Sequence, residues 1–222
     1  MIKLCIFDLD GTVLNTLSQI EYYVNCAMRQ SDLPQVPRDK IREFVGYGAK
    51  ALLKKCLEYA GRNSDDEEFF GVFHKKYLEN YNSDINYLAE VYSGIKDALR
   101  YIKSLGITLA ILSNKPHSTL VPTVSHFFGD IFDIVIGGSE KYPLKPNPKA
   151  AAAICEKAFA TPDETLIFGD GETDMECAEN LGAQGVGVLW GFRDKQTLIK
   201  HGAKALLSEP SDIITFIKEK TE

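Results

Sequence analysis

Ile2-Lys3-Leu4-Cys5-Ile6-Phe7-Asp8-Leu9-Asp10-Gly11-Thr12 is an apolar run that stops at two carboxylates one residue apart. Ile2, Leu4, Ile6 and Phe7 read as a short buried strand. Residues two apart share one face of a strand. A bend at Gly11 lets both carboxylates flank one point just beyond the strand end. Two like charges there raise the cost of ionising each other. The pair becomes useful with a divalent cation between them, or with one carboxylate attacking while the other moves a proton.

From Gly94 onward the chain alternates. Helix patterns over 95–105, 116–127, 148–159 and 173–181 alternate with apolar runs at 107–112, 131–136, 165–168 and 185–189. Strands that are apolar throughout and separated by helices indicate a parallel sheet covered on both faces. The first strand cannot be stable alone and must join that sheet. Between them, residues 16–84 hold four helix patterns and no convincing strand. A Ser64-Asp65-Asp66-Glu67 stretch there has the form of a capping box. The expected fold is an α/β doubly wound (Rossmann-like) parallel core over 1–15 and 85–222. A four-helix cap over 16–84 is inserted into it.

Ligands of such sheets bind outside the carboxyl ends of the strands. Those ends should therefore complement Asp8 and Asp10. The second core strand ends at Leu112-Ser113-Asn114-Lys115. Ser113 and Asn114 either donate hydrogen bonds to an oxyanion or cap the helix that begins at Pro116. Lys145 lies between Pro143 and Pro146, which stiffen the backbone that carries it. Gly169-Asp170-Gly171-Glu172-Thr173-Asp174 ends the fourth strand. Glu172 suits the first turn of a helix; Asp170 has no such structural reason. A hard cation such as Mg²⁺ takes one or two carboxylates and bridges to phosphate. A lysine and a hydroxyl can hold the remaining oxygens. The strand ends together describe a metal-assisted phosphoryl-transfer site.

Composition narrows the partners. The 222 residues are 45% hydrophobic and 25% charged, ordinary for a globular chain with a full core. Lysine plus arginine is 25 against 31 acids, a net charge of −6 that repels phosphate backbones and disfavours nucleic acid. No apolar stretch approaches the ~18 residues of a membrane span. The amino terminus does not read as a secretory signal. The five cysteines are scattered and odd in number, with no C-x-x-C pair, which points to reduced thiols and a cytoplasmic location. The four histidines lack zinc spacing. The expected partner is a small phosphorylated metabolite, with no nucleic acid and no membrane; composition suits monomer and dimer equally. Gly46-Tyr47-Gly48-Ala49-Lys50-Ala51 has a superficial dinucleotide-fingerprint form, but residues 38–44 before it read as helix, not strand.

On Asp8-Leu9-Asp10-Gly11-Thr12-Val13, Ser113, Lys145 and Gly169-Asp170 with Asp174, the chain resembles the haloacid dehalogenase superfamily, on its phosphatase side. Val45-Gly46-Tyr47-Gly48 and Gly187-Val188-Leu189-Trp190-Gly191-Phe192 are similar to segments of phosphoglycolate phosphatase-like members. The resemblance implies Asp8 as nucleophile, forming an aspartyl-phosphate, and Asp10 as general acid and then base. It implies Mg²⁺ held by Asp8, the Asp10 carbonyl and Asp170, with Asp174 supporting. Ser113, Asn114 and Lys145 would hold phosphate, and Lys145 would also stabilise the Asp8 charge. Arg42, Gly46, Tyr47 and Lys50 are the cap positions for substrate choice. True dehalogenases lack the second aspartate, so Asp10 argues against that branch. Asn15 and Gly171 depart from the usual aspartate and serine or threonine. The implied function is a Mg²⁺-dependent phosphatase of a small phosphomonoester. Other readings are a β-phosphoglucomutase-like phosphosugar mutase, a phospho-receiver module and a pyrophosphatase.

Overall fold

The computed structural model describes residues 1–221, which form two compact units, 1–15 with 90–221 and 16–89. The first is built on six parallel strands: β1 (Leu4–Phe7), β4 (Thr108–Pro116), β5 (Ile134–Gly138), β6 (Thr165–Gly169), β7 (Gln184–Val188) and β8 (Ala205–Leu207). Their spatial order is β5-β4-β1-β6-β7-β8. The chain therefore runs outward from β1 through β4 to β5, then crosses to β6 on the other side of β1. The strand order reverses at β1, so the crevice beyond the carboxyl ends of β1, β4 and β6 is the switch point of the sheet. Two-residue strands β2 (Leu14–Asn15) and β3 (Glu90–Val91) pair antiparallel beside it.

Every residue of β1 is fully buried, because helices cover both faces of the sheet. Cys5 and Phe7 face a core shared with α5 (Ile95–Ser104), α6 (His117–Phe128) and α10 (Asp212–Thr221). Leu4 and Ile6 face the opposite core, with α7 (Lys149–Lys157) and α8 (Glu172–Leu181). Phe7 stacks on Phe168 of β6 at 4.5 Å between ring centroids. Burying each such side chain contributes roughly 1.5–3 kcal/mol, which fixes the strand whose end carries the first carboxylate. Helix α9 (Lys195–Lys200), β8 and α10 complete the unit beyond the last element that the periodicity indicates.

The second unit consists of α1 (Leu17–Arg29), α2 (Arg38–Phe44), α3 (Ala49–Tyr59) and α4 (Glu67–Ser83). Helix α2 rules out the strand that a dinucleotide fingerprint would need. Residues 85–89 belong to this unit, because Gln19 Nε2 donates to the carbonyls of Ile85 (2.9 Å) and Tyr87 (3.0 Å). Gly61, with φ +74°, closes α3: its N–H donates to the Glu58 carbonyl, and Arg62 N–H to that of Leu57. The capping box at Ser64 does not form. Asp66 is the N-cap of α4 and accepts from Phe69 N at 3.0 Å, while Ser64 Oγ donates to Glu58 Oε1 at 2.6 Å. Both aspartate and serine cap well, and the acid two positions on takes the end. Among the described residues no helix is long and apolar enough to cross a membrane.

Candidate active site

Asp8 follows β1 directly, and its N–H continues the ladder to the Phe168 carbonyl at 2.9 Å. That bond sets its carboxylate at the sheet's switch point. Gly11 then turns the chain at φ +86°, the left-handed region. A Cβ there would stand 2.3 Å from Asp170 Oδ2, so glycine also admits that carboxylate. One oxygen each of Asp8, Asp170 and Asp174 lie within 4.8 Å of one another.

Two of the three carboxylates, Asp170 and Asp174, are fixed from behind. Thr12 Oγ1 donates to Asp170 Oδ1 at 3.1 Å, and Phe192 N to Asp170 Oδ2 at 2.7 Å. The 190–193 segment is itself anchored: Trp190 Nε1 donates to the Thr12 carbonyl at 2.9 Å, and Arg193 forks onto Glu172 at 2.7 and 3.2 Å. Glu172 is thus an ion-pair partner as well as a first-turn acid. Gly191 packs so tightly that a Cβ would lie 2.2 Å from Asp170 Cβ. Asp174 Oδ2 accepts from Gly171 N at 3.1 Å at the start of α8.

Lys145 joins the first and fourth motifs. Its Nζ stands 2.8 Å from Asp8 Oδ1, 2.6 Å from Asp174 Oδ1 and 2.8 Å from the Leu112 carbonyl. It donates to Asp174 Oδ1 and the Leu112 carbonyl and ion-pairs with Asp8 Oδ1. Burial alone would lower its pKa, but Asp174 and Asp8 raise it above the ordinary lysine value, so it stays charged.

Asn114 has a structural task beside the expected one. Its Oδ1 accepts from Lys145 N at 2.7 Å and its Nδ2 donates to the Lys145 carbonyl at 3.1 Å. Both ends of its amide grip the backbone of the lysine. Neither Ser113 nor Asn114 caps α6: β4 runs through Pro116, which occupies the N-cap, and Ser113 Oγ accepts from Lys115 N at 3.3 Å. Ser113 is buried at the same strand end.

The Asp10 carboxylate is not one of the three grouped within 4.8 Å, though its charge acts on Asp8. Its Oδ1 pairs with Lys115 Nζ at 3.3 Å. The sequence assigns Lys115 no role, and Thr12 and the Trp190–Phe192 segment carry the family resemblance there without a role of their own. Only the position of Lys115 two residues after Ser113 on one strand carried a signal for it. In the helical unit, Arg42 lies exposed on α2 and Lys50 exposed in the first turn of α3. Gly46 has φ +125°, and the Tyr47 ring lies 5.4 Å under Lys55 Nζ.

The cluster is short of positive charge. Burial first, then the Lys145 attraction working against it and the repulsion of Asp174 and Asp10, leaves Asp8 pushed up to about 7. Burial, with Asp174 and Asp8 nearby, pushes Asp170 up to about 8. Asp8 Oδ1 is buried without a well-formed hydrogen bond, although Lys145 is close. With all three carboxylates ionised, one ammonium leaves two negative charges uncompensated, which one divalent cation would balance. Hard oxygen ligands of this kind suit such an ion.

Residues 5–188 match the family described as haloacid dehalogenase-like hydrolase. The chain belongs to that family. Curated relatives include the phosphoglycolate phosphatase of Vibrio vulnificus strain CMCP6, 32% identical over 213 residues, covering 94% of this chain and 90% of the relative. The phosphoglycolate phosphatase of Pasteurella multocida is 28% identical over 221 residues, covering 97% and 98%. Among solved structures, a predicted phosphoglycolate phosphatase from Haemophilus somnus superposes with a TM-score of 0.90 at 26% identity, covering 97% of this chain and 98% of that one. This haloacid dehalogenase-like chain is accordingly a hydrolase, and the three-carboxylate cluster at the switch point is its candidate active site.

Proposed function

We propose that the protein is a Mg²⁺-dependent phosphatase that hydrolyses a small phosphomonoester of the phosphoglycolate type, with Asp8 as nucleophile. The observation that carries this reading is the Asp8–Asp170–Asp174 cluster clamped by Lys145 at the sheet's switch point. Asp8, Asp170 and Asp174 are the residues that would hold Mg²⁺. Once bound there it supplies charge neutralisation for the carboxylates and the phosphoryl oxygens.

In the first step an Asp8 oxygen attacks phosphorus. The bond from phosphorus to the ester oxygen breaks, and Asp10 gives its proton to the departing alkoxide, leaving an aspartyl-phosphate and an alcohol. In the second, Asp10 takes a proton from water, the water oxygen attacks phosphorus, and the Asp8 carboxylate is released with inorganic phosphate. Lys145 holds the attacking carboxylate charged and oriented beside its target. Asn114 keeps the lysine backbone in place, and Ser113 offers a hydroxyl donor to the phosphoryl group. Such monoesters are hydrolysed very slowly without help, so this positioning and charge must act together.

The Vibrio and Pasteurella relatives support the small-ester substrate through their names, and the Asp66-capped helical unit carries Arg42, Gly46, Tyr47 and Lys50 as the proposed substrate-selecting positions. The five free cysteines are all buried, which supports action in a reducing cytoplasm. The experiment is phosphate release from a panel of esters, with Mg²⁺ and with EDTA. The panel would include 2-phosphoglycolate, hexose phosphates, nucleotides and pyrophosphate. Metal-dependent release with 2-phosphoglycolate preferred is expected. Isomerisation of β-glucose 1-phosphate without release, or a lasting acyl-phosphate without turnover, would overturn it.

A further inference from the structure

Asp8 and Asp10 each have a lysine of their own, and only one of those lysines has a place in the reaction so far. Lys115 is unusual for its class: its side chain is only 7% exposed, and that of Asp10 16%. A lysine buried to that degree without a function would be costly. The backbone is shaped to place it there. The pairing of β4 with β5 is regular to Ser113 and then shifts register before Pro116. Such irregularities re-aim side chains beside active sites. The displaced segment is held on both sides: Lys115 N donates to Ser113 Oγ, and His117 Nδ1 accepts from Gly137 N at 3.2 Å.

We propose that Lys115 is a positioning residue for Asp10, whose ammonium, 3.3 Å from Asp10 Oδ1, holds that carboxylate where it meets the ester oxygen. This role rests on the phosphatase reading, in which Asp10 protonates the departing oxygen. It makes Lys115 matter in proportion to how much the leaving group needs a proton. An alkoxide needs one; p-nitrophenolate leaves without it.

The test compares kcat/KM of wild type, Lys115→Met and Lys115→Arg, with Mg²⁺ present, on 2-phosphoglycolate and on p-nitrophenyl phosphate. kcat/KM covers the steps up to departure of the leaving group, so hydrolysis of the aspartyl-phosphate does not enter. Lys115→Met should lose ~100-fold on the alkyl ester and no more than a few-fold on the aryl ester. Lys115→Arg should recover most of the loss, because it restores the cation. If Lys115→Met does not accumulate as folded protein, Lys115→Gln carries the same comparison. Equal losses on the two esters, or no loss on the alkyl ester, would overturn the role of Lys115 while leaving the phosphatase reading in place. Wild-type protein that releases phosphate from neither ester would overturn both.

Discussion

Asp170→Asn should make the metal-free protein more stable at alkaline pH, although it removes a proposed metal ligand. Burial and the charges of Asp174 and Asp8 raise Asp170 to about 8, against an unfolded value of ~3.9. A carboxyl raised on folding contributes its full stability below the unfolded value and loses it as pH rises through the folded one. The penalty thus grows from pH ~4 to pH ~8, and a shift of about four units at ~1.4 kcal/mol each sets a ceiling of ~6 kcal/mol. Asparagine keeps both hydrogen bonds: its oxygen accepts from Phe192 N, and its amide donates to Thr12 Oγ1, whose hydroxyl turns to accept. Removing one anion from the neighbourhood of Lys145 takes back ~1–2 kcal/mol. The net gain is ~4 kcal/mol, or ~8–16 °C in Tm for a chain of this size. Thermal unfolding in EDTA should show Asp170→Asn well above wild type at pH 8.5 and level with it at pH 4.5. Added Mg²⁺ should raise the wild-type Tm at pH 8.5 and leave the variant unmoved. A variant that melts below wild type in EDTA at pH 8.5, or a gap independent of pH, would refute the reasoning.

Asp8→Asn should abolish phosphate release, to under ~1% of wild type, with an unchanged circular dichroism spectrum; greater residual turnover would mean another nucleophile. Asn114→Ala frees the backbone that carries Lys145 and should cut kcat by ~10-fold or more, with KM little changed, checked by steady-state kinetics on the preferred ester. Asp66→Ala removes the α4 cap and should cost ~1 kcal/mol in denaturant unfolding without altering the chemical step.

The parts of the site that were legible in the sequence are those that local pattern fixes. Asp8, Ser113 and Asp170 each follow an apolar run, so each strand end could be located from the run that precedes it, and the prolines marked Lys145. Lys115 was not legible, because a lysine after a strand is ordinarily solvated and the register shift that buries it has no local signature. The Asn114 role was hidden for a related reason: its partner lies 31 residues away, and an amide reads equally well as cap, ligand or clamp. At Ser64 and Asp66 two good caps compete within three residues, and propensity does not choose between them. Strands β2 and β3, two residues each, and β8, three residues, are too short to carry a period.

The central claim is that Asp8 becomes covalently phosphorylated. Enzyme mixed with 2-phosphoglycolate and Mg²⁺, then quenched with borohydride, should carry homoserine at position 8 by peptide mass spectrometry, since borohydride reduces an acyl-phosphate to the alcohol. The label should require substrate and vanish in Asp8→Asn. Phosphate release with no reduction at position 8, or reduction at a different carboxylate, would contradict the account.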